Sequence, residues 1–107
     1  MLVVYRARGE DWDRFMGTLK GHFHELEDAG CVRIEAYRNR KHPDEWLMVQ
    51  EWPAKEVFDS FAERQGPDLD RAAGWLRWKD VSTWAEGVTW VAGEEPHPVG
   101  QKALETD

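Results

Sequence analysis

The stretch WLMVQEWPAKEVFDSF, residues 46–61, decides the fold because its hydrophobic period changes halfway along. Residues 46–52 are mostly apolar and aromatic, a composition that predicts a strand. In the second half the apolar side chains have helical spacing, at Val57, Phe58 and Phe61. Pro53 suits the first turn of a helix, and Gly66-Pro67 predicts the end of that helix. A strand therefore passes directly into a helix.

Two more strands are predicted upstream. CVRIEAYRN, residues 31–39, alternates aliphatic and polar side chains, and the following RKHPDE has the composition of a turn. Residues 31–52 are therefore predicted to form an antiparallel hairpin. LVVYRAR, residues 2–8, predicts the first strand. Between these strands, residues 11–29 repeat apolar side chains every three or four positions, which predicts a helix, and Gly30 is expected to end it in a left-handed conformation.

The C-terminal part completes a recognisable order of elements. A short helix is predicted to start at Pro67, and VSTWAEGVTWV, residues 81–91, predicts a strand interrupted at Gly87. The order strand, helix, strand, strand, helix, strand is that of the ferredoxin-like α+β fold, with helices on one face of an antiparallel sheet. This domain is predicted to span residues 1–91. Residues 92–107 are predicted to be a loosely ordered tail that could pack on a partner.

The two faces of the sheet differ in composition. We assign one aliphatic set to the face beneath the helices, namely Val32, Ile34, Leu47 and Val49. The opposite face is then aromatic and polar together, with Tyr37, Trp46, Met48 and Trp84 beside Arg33, Glu35 and Gln50. A face of this composition is too apolar to be left in water. We therefore expect a second copy of the chain to cover it, in a homodimer with a self-complementary interface.

Composition narrows the choice of partner and compartment. The formal net charge of −7 argues against nucleic acid and against an anionic membrane surface, because both require a basic face. The single cysteine, Cys31, permits no internal disulfide, and the N-terminal residues resemble neither a signal peptide nor a membrane span. We therefore expect a cytoplasmic protein.

The two best-defined segments resemble those of a known family. GCVRIEAYRN followed by LMVQEWPAKEVFDSF resembles the antibiotic biosynthesis monooxygenase domain of the dimeric α/β barrel superfamily, over about residues 2–90. Gly30 and Cys31 match the family's entry to the second strand. Its strand ending is matched by Glu51 and Trp52, and the helix that follows by Glu56 and Phe58. The resemblance implies two ferredoxin-like subunits paired into a dimeric barrel.

The resemblance also implies a chemistry. Enzymes of the family oxygenate polycyclic aromatic or quinol-type substrates without a metal or flavin, because the substrate itself supplies the electrons to oxygen. The chain departs from the family at Ala54, where a serine usually opens the helix, and at Phe61, where a histidine is frequent. The members that degrade haem use an asparagine on the first strand and a histidine in the second helical region. LVVYRAR and AAGWLRW have neither, so haem breakdown is disfavoured.

Aromatic side chains are the candidate substrate-binding residues. A flat molecule could be held between helices and sheet by a set of five, Trp12, Trp52, Phe61, Trp75 and Trp78. The alternative is that they simply fill the core and its boundary, as bulky aromatics do in small domains.

Two residues are candidate catalytic groups. His22, at the margin of the first helix's apolar stripe, could transfer protons at neutral pH, and Tyr37 could hydrogen-bond a phenolic substrate. The alternatives are a half-buried boundary histidine and a tyrosine that packs against the partner subunit. His24 and Asp28 have a spacing that could place two metal ligands on one helix face, but a third ligand is missing nearby. Zinc-ligand spacing, a nucleophile elbow, a phosphate loop and a dinucleotide fingerprint are absent from the sequence.

The sequence thus favours a cofactor-independent monooxygenase for an aromatic or polyketide-type small molecule. One alternative is a non-catalytic homodimer that binds a small ligand or takes part in a stress response. Another is an isomerase or cyclase of the same superfamily. The fold alone does not choose among these functions.

Overall fold

The computed structural model describes residues 1–100 and confirms the α+β, ferredoxin-like architecture. Four strands form one antiparallel sheet in the order β2-β3-β1-β4, with β1 at Leu2–Arg8, β2 at Arg33–Arg38, β3 at Glu45–Glu51 and β4 at Trp78–Trp84. The helices are α1 at Trp12–Gly21, α2 at Phe23–Ala29 and α3 at Lys55–Ala72. A separate hairpin pairs β5, Glu86–Thr89, with β6, His97–Gly100.

The first helical segment is divided where one helix was predicted. Asp11 caps α1 by accepting a hydrogen bond from the Arg14 backbone N–H at 2.9 Å. His22 interrupts the helix with φ −107° and ψ 1°, and α2 follows directly. The predicted stop at Gly30 is confirmed, with φ at +115°.

Gly30 is required for space as well as for conformation. A Cβ at this position would lie 2.8 Å from Val57 Cγ1, in a backbone region that L-residues avoid. We expect Gly30→Ala to lower the free energy of unfolding by about 2 kcal/mol, measured by urea denaturation. Gly17→Ala is the matched control, because that glycine is helical with nothing near its Cβ; it should stabilise α1 by about 0.5–1 kcal/mol. Equal losses in both variants would contradict this interpretation.

The predicted break at Gly66-Pro67 is wrong, because α3 continues through both residues to Ala72. A proline inside a helix removes one hydrogen bond and crowds the preceding turn. Phe61 on one side of Pro67 and Leu69 on the other nevertheless pack on the same core cluster. Tertiary packing of both halves therefore keeps the helix continuous.

The C-terminal strands also differ from expectation. The sequence predicted one strand over residues 81–91 with an interruption at Gly87, whereas the structure ends β4 at Trp84 and starts β5 at Glu86. The predicted tail contributes β6 at His97–Gly100, and residues 101–107 lie outside the described part.

The face assignment made from sequence is half correct, and β3 is where it fails. In the β2–β3 pairing, Ile34 lies opposite Gln50 and Ala36 opposite Met48. Ile34 does face the helices as predicted, and Arg33, Glu35 and Tyr37 face away. On β3 the assignment is reversed, because Trp46, Met48 and Gln50 are buried under the helices. Leu47 and Val49 lie on the other face, and Val32 precedes the strand and is 65% exposed.

The face turned away from the helices, here called the open face, carries an apolar band from one sheet edge to the other. Cross-strand pairing joins Tyr37 to Leu47, Val49 to Val4, and Leu2 to Trp84, which was correctly assigned to this face. Several charged side chains beside the band are paired with one another, as in Arg8–Glu45 at 2.6 Å and Arg33–Glu51 at 3.7 Å. The open face therefore combines an uncovered apolar centre with paired charges at its border.

Candidate functional site

A cavity of about 350 Å³ lies between the helices and the sheet. Val3 and Tyr5 of β1 and Met48 and Gln50 of β3 form its floor, since these strand positions face the helices. Its aromatic walls come from α1, α3 and the segment after α3, namely Phe15, Phe58, Phe61 and Trp75. Apolar walls with few polar groups are typical of a site for a small organic molecule.

The polar groups of the cavity are few and come from different elements. They are Tyr5, Thr18, His22, Gln50 and Asp70. Thr18 donates its hydroxyl to the backbone carbonyl of Arg14 at 2.9 Å. Asp70 is held in an ion pair by Lys79, with Nζ and Oδ1 2.6 Å apart. Thr18 and Asp70 thus already have partners. The other three polar residues, Tyr5, His22 and Gln50, are the candidates to meet a ligand, the last two through the nitrogen that their own protein bonds leave over.

Tyr5 is held as a neutral phenol. Burial raises its pKa, opposed by the nearby Lys79 ammonium and reinforced by Asp70. At neutral pH the hydroxyl therefore keeps its proton and can donate a hydrogen bond to an oxygen in the cavity.

His22 forms a pair with a carboxylate at the junction of α1 and α2. Its Nδ1 lies 3.1 Å from Glu25 Oε2. A carboxylate only accepts hydrogen bonds, so Nδ1 carries the proton, and in the neutral tautomer that fits this bond the lone pair is on Nε2. Because the side chain lines the cavity and is 29% exposed, it can take a proton from a ligand and pass it to solvent.

Three of the seven predicted site residues meet at this cavity, namely His22, Phe61 and Trp75. Trp52 is 1% exposed and does not line the cavity; its ring packs on Phe58 and Phe61 with centroids 5.4 and 5.3 Å away. Trp12 packs on Phe15 and Trp46 in a neighbouring cluster.

The remaining two lie on the open face. Trp78 is 44% exposed and packs under the Arg6 guanidinium, 5.6 Å from the ring centroid. Tyr37 donates its hydroxyl to Glu35, and this hydrogen bond raises the pKa of Tyr37. Neither residue lines the cavity.

Tyr5 and Gln50 were missed at the sequence level. Both share a sheet face with Val3 and Met48 and would have been found if the β3 positions had been assigned to the correct face. Cys31 is also buried, and burial raises the pKa of its thiol, so it stays protonated and unreactive. Within residues 1–100, no group of three or more histidine, cysteine or acidic side chains is placed to hold a metal ion. None of the helices in the same range is both long and apolar enough to cross a bilayer.

No family model matches the chain, and no curated protein matches it. Its fold, however, recurs in solved structures. A Shewanella oneidensis protein superposes with a TM-score of 0.62 at 16% identity, over 78% of this chain and 86% of its own. A candidate antibiotic biosynthesis monooxygenase from Deinococcus radiodurans superposes at 0.56 and 11% identity, over 87% of this chain and 100% of its own.

A third similar structure is that of a variant of SnoaB, a cofactor-independent oxygenase from Streptomyces nogalater. It superposes with a TM-score of 0.55 at 14% identity, over 87% of this chain and 96% of its own. At these identities the likeness establishes the fold. The chain therefore has the fold of antibiotic biosynthesis monooxygenases, as the strand and helix motifs indicated.

Proposed function

We propose that the protein is a cofactor-independent monooxygenase that acts on a flat aromatic molecule of the quinol or polyketide type. The observation that carries the proposal is the cavity itself, about 350 Å³ with aromatic walls and a few polar groups. Such a site suits a ring system that carries one or more oxygens. The fold shared with SnoaB, a cofactor-independent oxygenase, supports the same class of reaction.

In the proposed reaction, His22 Nε2 removes a proton from an activated C–H or O–H of the substrate. The resulting anion is delocalised over the rings and passes one electron to molecular oxygen. The superoxide and the substrate radical then combine to a peroxide anion on carbon, which takes the proton back from His22 and becomes a hydroperoxide. Loss of water from the hydroperoxide leaves a carbonyl, so a ring CH₂ and O₂ become C=O and H₂O. Tyr5 donates a hydrogen bond to the substrate anion, which the apolar walls shield from water.

The same proposal includes a homodimer paired through the open face. An apolar band that crosses the sheet is costly to leave in water, and two ion pairs at its border are already formed within the chain. A second copy of the band is self-complementary by symmetry. We also place the protein in the cytoplasm, where its one thiol would stay reduced.

Oxygen uptake with a panel of anthrone- and quinol-type compounds tests the proposal. We expect stoichiometric uptake with at least one of them. His22→Ala should lower the turnover number about 100-fold, the lower range for loss of a general base. His24→Ala is the matched control, because this exposed histidine two positions on does not line the cavity, and its turnover should be unchanged.

Two results would reject the proposal in different ways. Equal oxygen uptake by His22→Ala and the wild-type protein would show that His22 is not the general base. Tight binding of the compounds with no oxygen uptake would favour the alternative function, a dimer that binds a small ligand without catalysis.

A further inference from the structure

Gln50 presents a buried hydrogen-bonding group to the cavity. Its side chain lies on the helix-facing side of β3, lines the cavity, and is only 7% exposed. A carboxamide has one oxygen that accepts hydrogen bonds and one nitrogen that donates two. Which end faces the cavity therefore decides what kind of ligand atom Gln50 can meet.

Trp52 fixes the orientation of this amide. The indole Nε1–H of Trp52 lies 3.0 Å from Gln50 Oε1. An indole nitrogen can only donate, so the amide oxygen must face Trp52 and the amide nitrogen must face away from it. Trp52 is itself immobilised, because its ring is 1% exposed and packs between Phe58 and Phe61.

The amide nitrogen of Gln50, which is turned away from Trp52, has only a weak hydrogen-bond partner. Among residues 1–100, the acceptor that it meets is the thioether Sδ of Met48, 3.8 Å away. Sulfur is a poor acceptor, and buried N–H groups are normally paired with oxygen. A donor that is pre-oriented and nearly unpartnered inside an apolar cavity is positioned for an oxygen that the protein does not supply.

We infer that Gln50 is a specificity-determining residue whose amide N–H donates to a carbonyl or phenolate oxygen of the bound ring system, and that Trp52 is the positioning residue that aims it. This inference rests on the proposed function for the identity of the site. It adds that the cavity selects oxygen-bearing aromatics over hydrocarbons of equal shape, because only the former satisfy the amide.

Two probes of similar shape test the selection. Anthrone carries a ring carbonyl, and 9,10-dihydroanthracene has the same skeleton without oxygen. Binding of each is measured under nitrogen, by quenching of tryptophan fluorescence, so that no turnover occurs. The wild-type protein should bind anthrone more tightly than dihydroanthracene. Gln50→Leu should weaken anthrone binding about 10-fold, the loss expected for one hydrogen bond, and change dihydroanthracene binding less than about 2-fold.

Further variants separate selection from folding. Trp52→Phe keeps an aromatic ring but frees the amide to rotate, so anthrone binding should fall about 3-fold. The double variant Gln50→Leu/Trp52→Phe removes both polar partners together, which leaves no unpaired N–H and should preserve the melting temperature. It should show the same loss of selectivity as Gln50→Leu. Gln65→Leu, on α3 and away from the cavity lining, should bind both probes like the wild-type protein.

Equal losses for the two probes in Gln50→Leu would mean that Gln50 only packs, and would overturn the inference. So would a wild-type protein that binds anthrone no better than dihydroanthracene, including one that binds neither. Selective anthrone binding, without oxygen uptake in air by any compound of the panel, would reject the monooxygenase proposal and leave this inference standing.

Discussion

Trp46→Ala is expected to lower the free energy of unfolding by about 3–5 kcal/mol. Trp46 is 4% exposed and lies at the centre of an aromatic cluster at one end of the sheet. Its ring stacks on Phe15 with centroids 4.9 Å apart, and Trp12 and Trp75 both approach to 5.9 Å. Truncation would remove contacts to three aromatic rings and leave a cavity that they cannot fill.

Two further contacts add to the expected loss. The indole Nε1–H of Trp46 donates to the Pro43 carbonyl at 2.9 Å and so holds the β2–β3 turn. The Gly9 backbone lies so close that a Cβ there would come within 2.7 Å of the Trp46 ring. A domain of this size has about 5–15 kcal/mol of stability in total, so one substitution would remove a large fraction of it.

Denaturation in urea at one fixed protein concentration measures the effect. Trp90→Ala is the matched control, because this tryptophan is 75% exposed and its loss should change stability by less than about 0.5 kcal/mol. Similar losses in the two variants would show that the aromatic cluster is not the main source of stability at this end of the sheet.

The sequence predicted the elements more reliably than the orientation of β3. β1 was predicted at its observed bounds because LVVYRAR is bounded by Gly9, and the stop at Gly30 followed from its freedom to adopt positive φ. WLMVQEW, in contrast, has apolar side chains at both its odd and its even positions, so the sequence pattern does not show which face of the strand is buried. The register is set by the turn, where the Asn39 side chain accepts hydrogen bonds from the backbone of Lys41 and His42. Short-range composition does not specify this geometry.

The incorrect assignment of the β3 faces also limited which site residues could be predicted. His22, Phe61 and Trp75 were found because helical spacing and residue chemistry point to them without knowledge of the sheet. Tyr5 and Gln50 require the correct face of two strands, and so were missed. The interruption of the first helix at His22 was also missed, because nothing in its composition breaks the apolar repeat.

Val49→Asp is expected to convert the proposed dimer into a monomer. Val49 pairs with Val4 in the middle of the apolar band, between the edge residues Tyr37 and Trp84. In a two-fold interface, the centre of a self-complementary patch lies near the axis, so the two new carboxylates would approach each other in an apolar setting. Like charges brought together across an interface cost several kcal/mol, so the dimer dissociation constant should rise roughly 1000-fold.

Light scattering after gel filtration should show the change as a fall in mass from twice the 12.5 kDa chain to the single chain. Val32→Asp is the matched control. This valine is 65% exposed, precedes β2 and falls in the same alternation as the helix-facing residues of that strand, so it is not part of the open face. The mass of the Val32→Asp protein should equal that of the wild-type protein. The melting temperature of the wild-type protein should also rise with protein concentration, whereas that of Val49→Asp should not. A wild-type protein that stays a single chain at high concentration, or a Val49→Asp variant that stays paired, would show that the open face is not the interface, and the apolar band would then need another explanation.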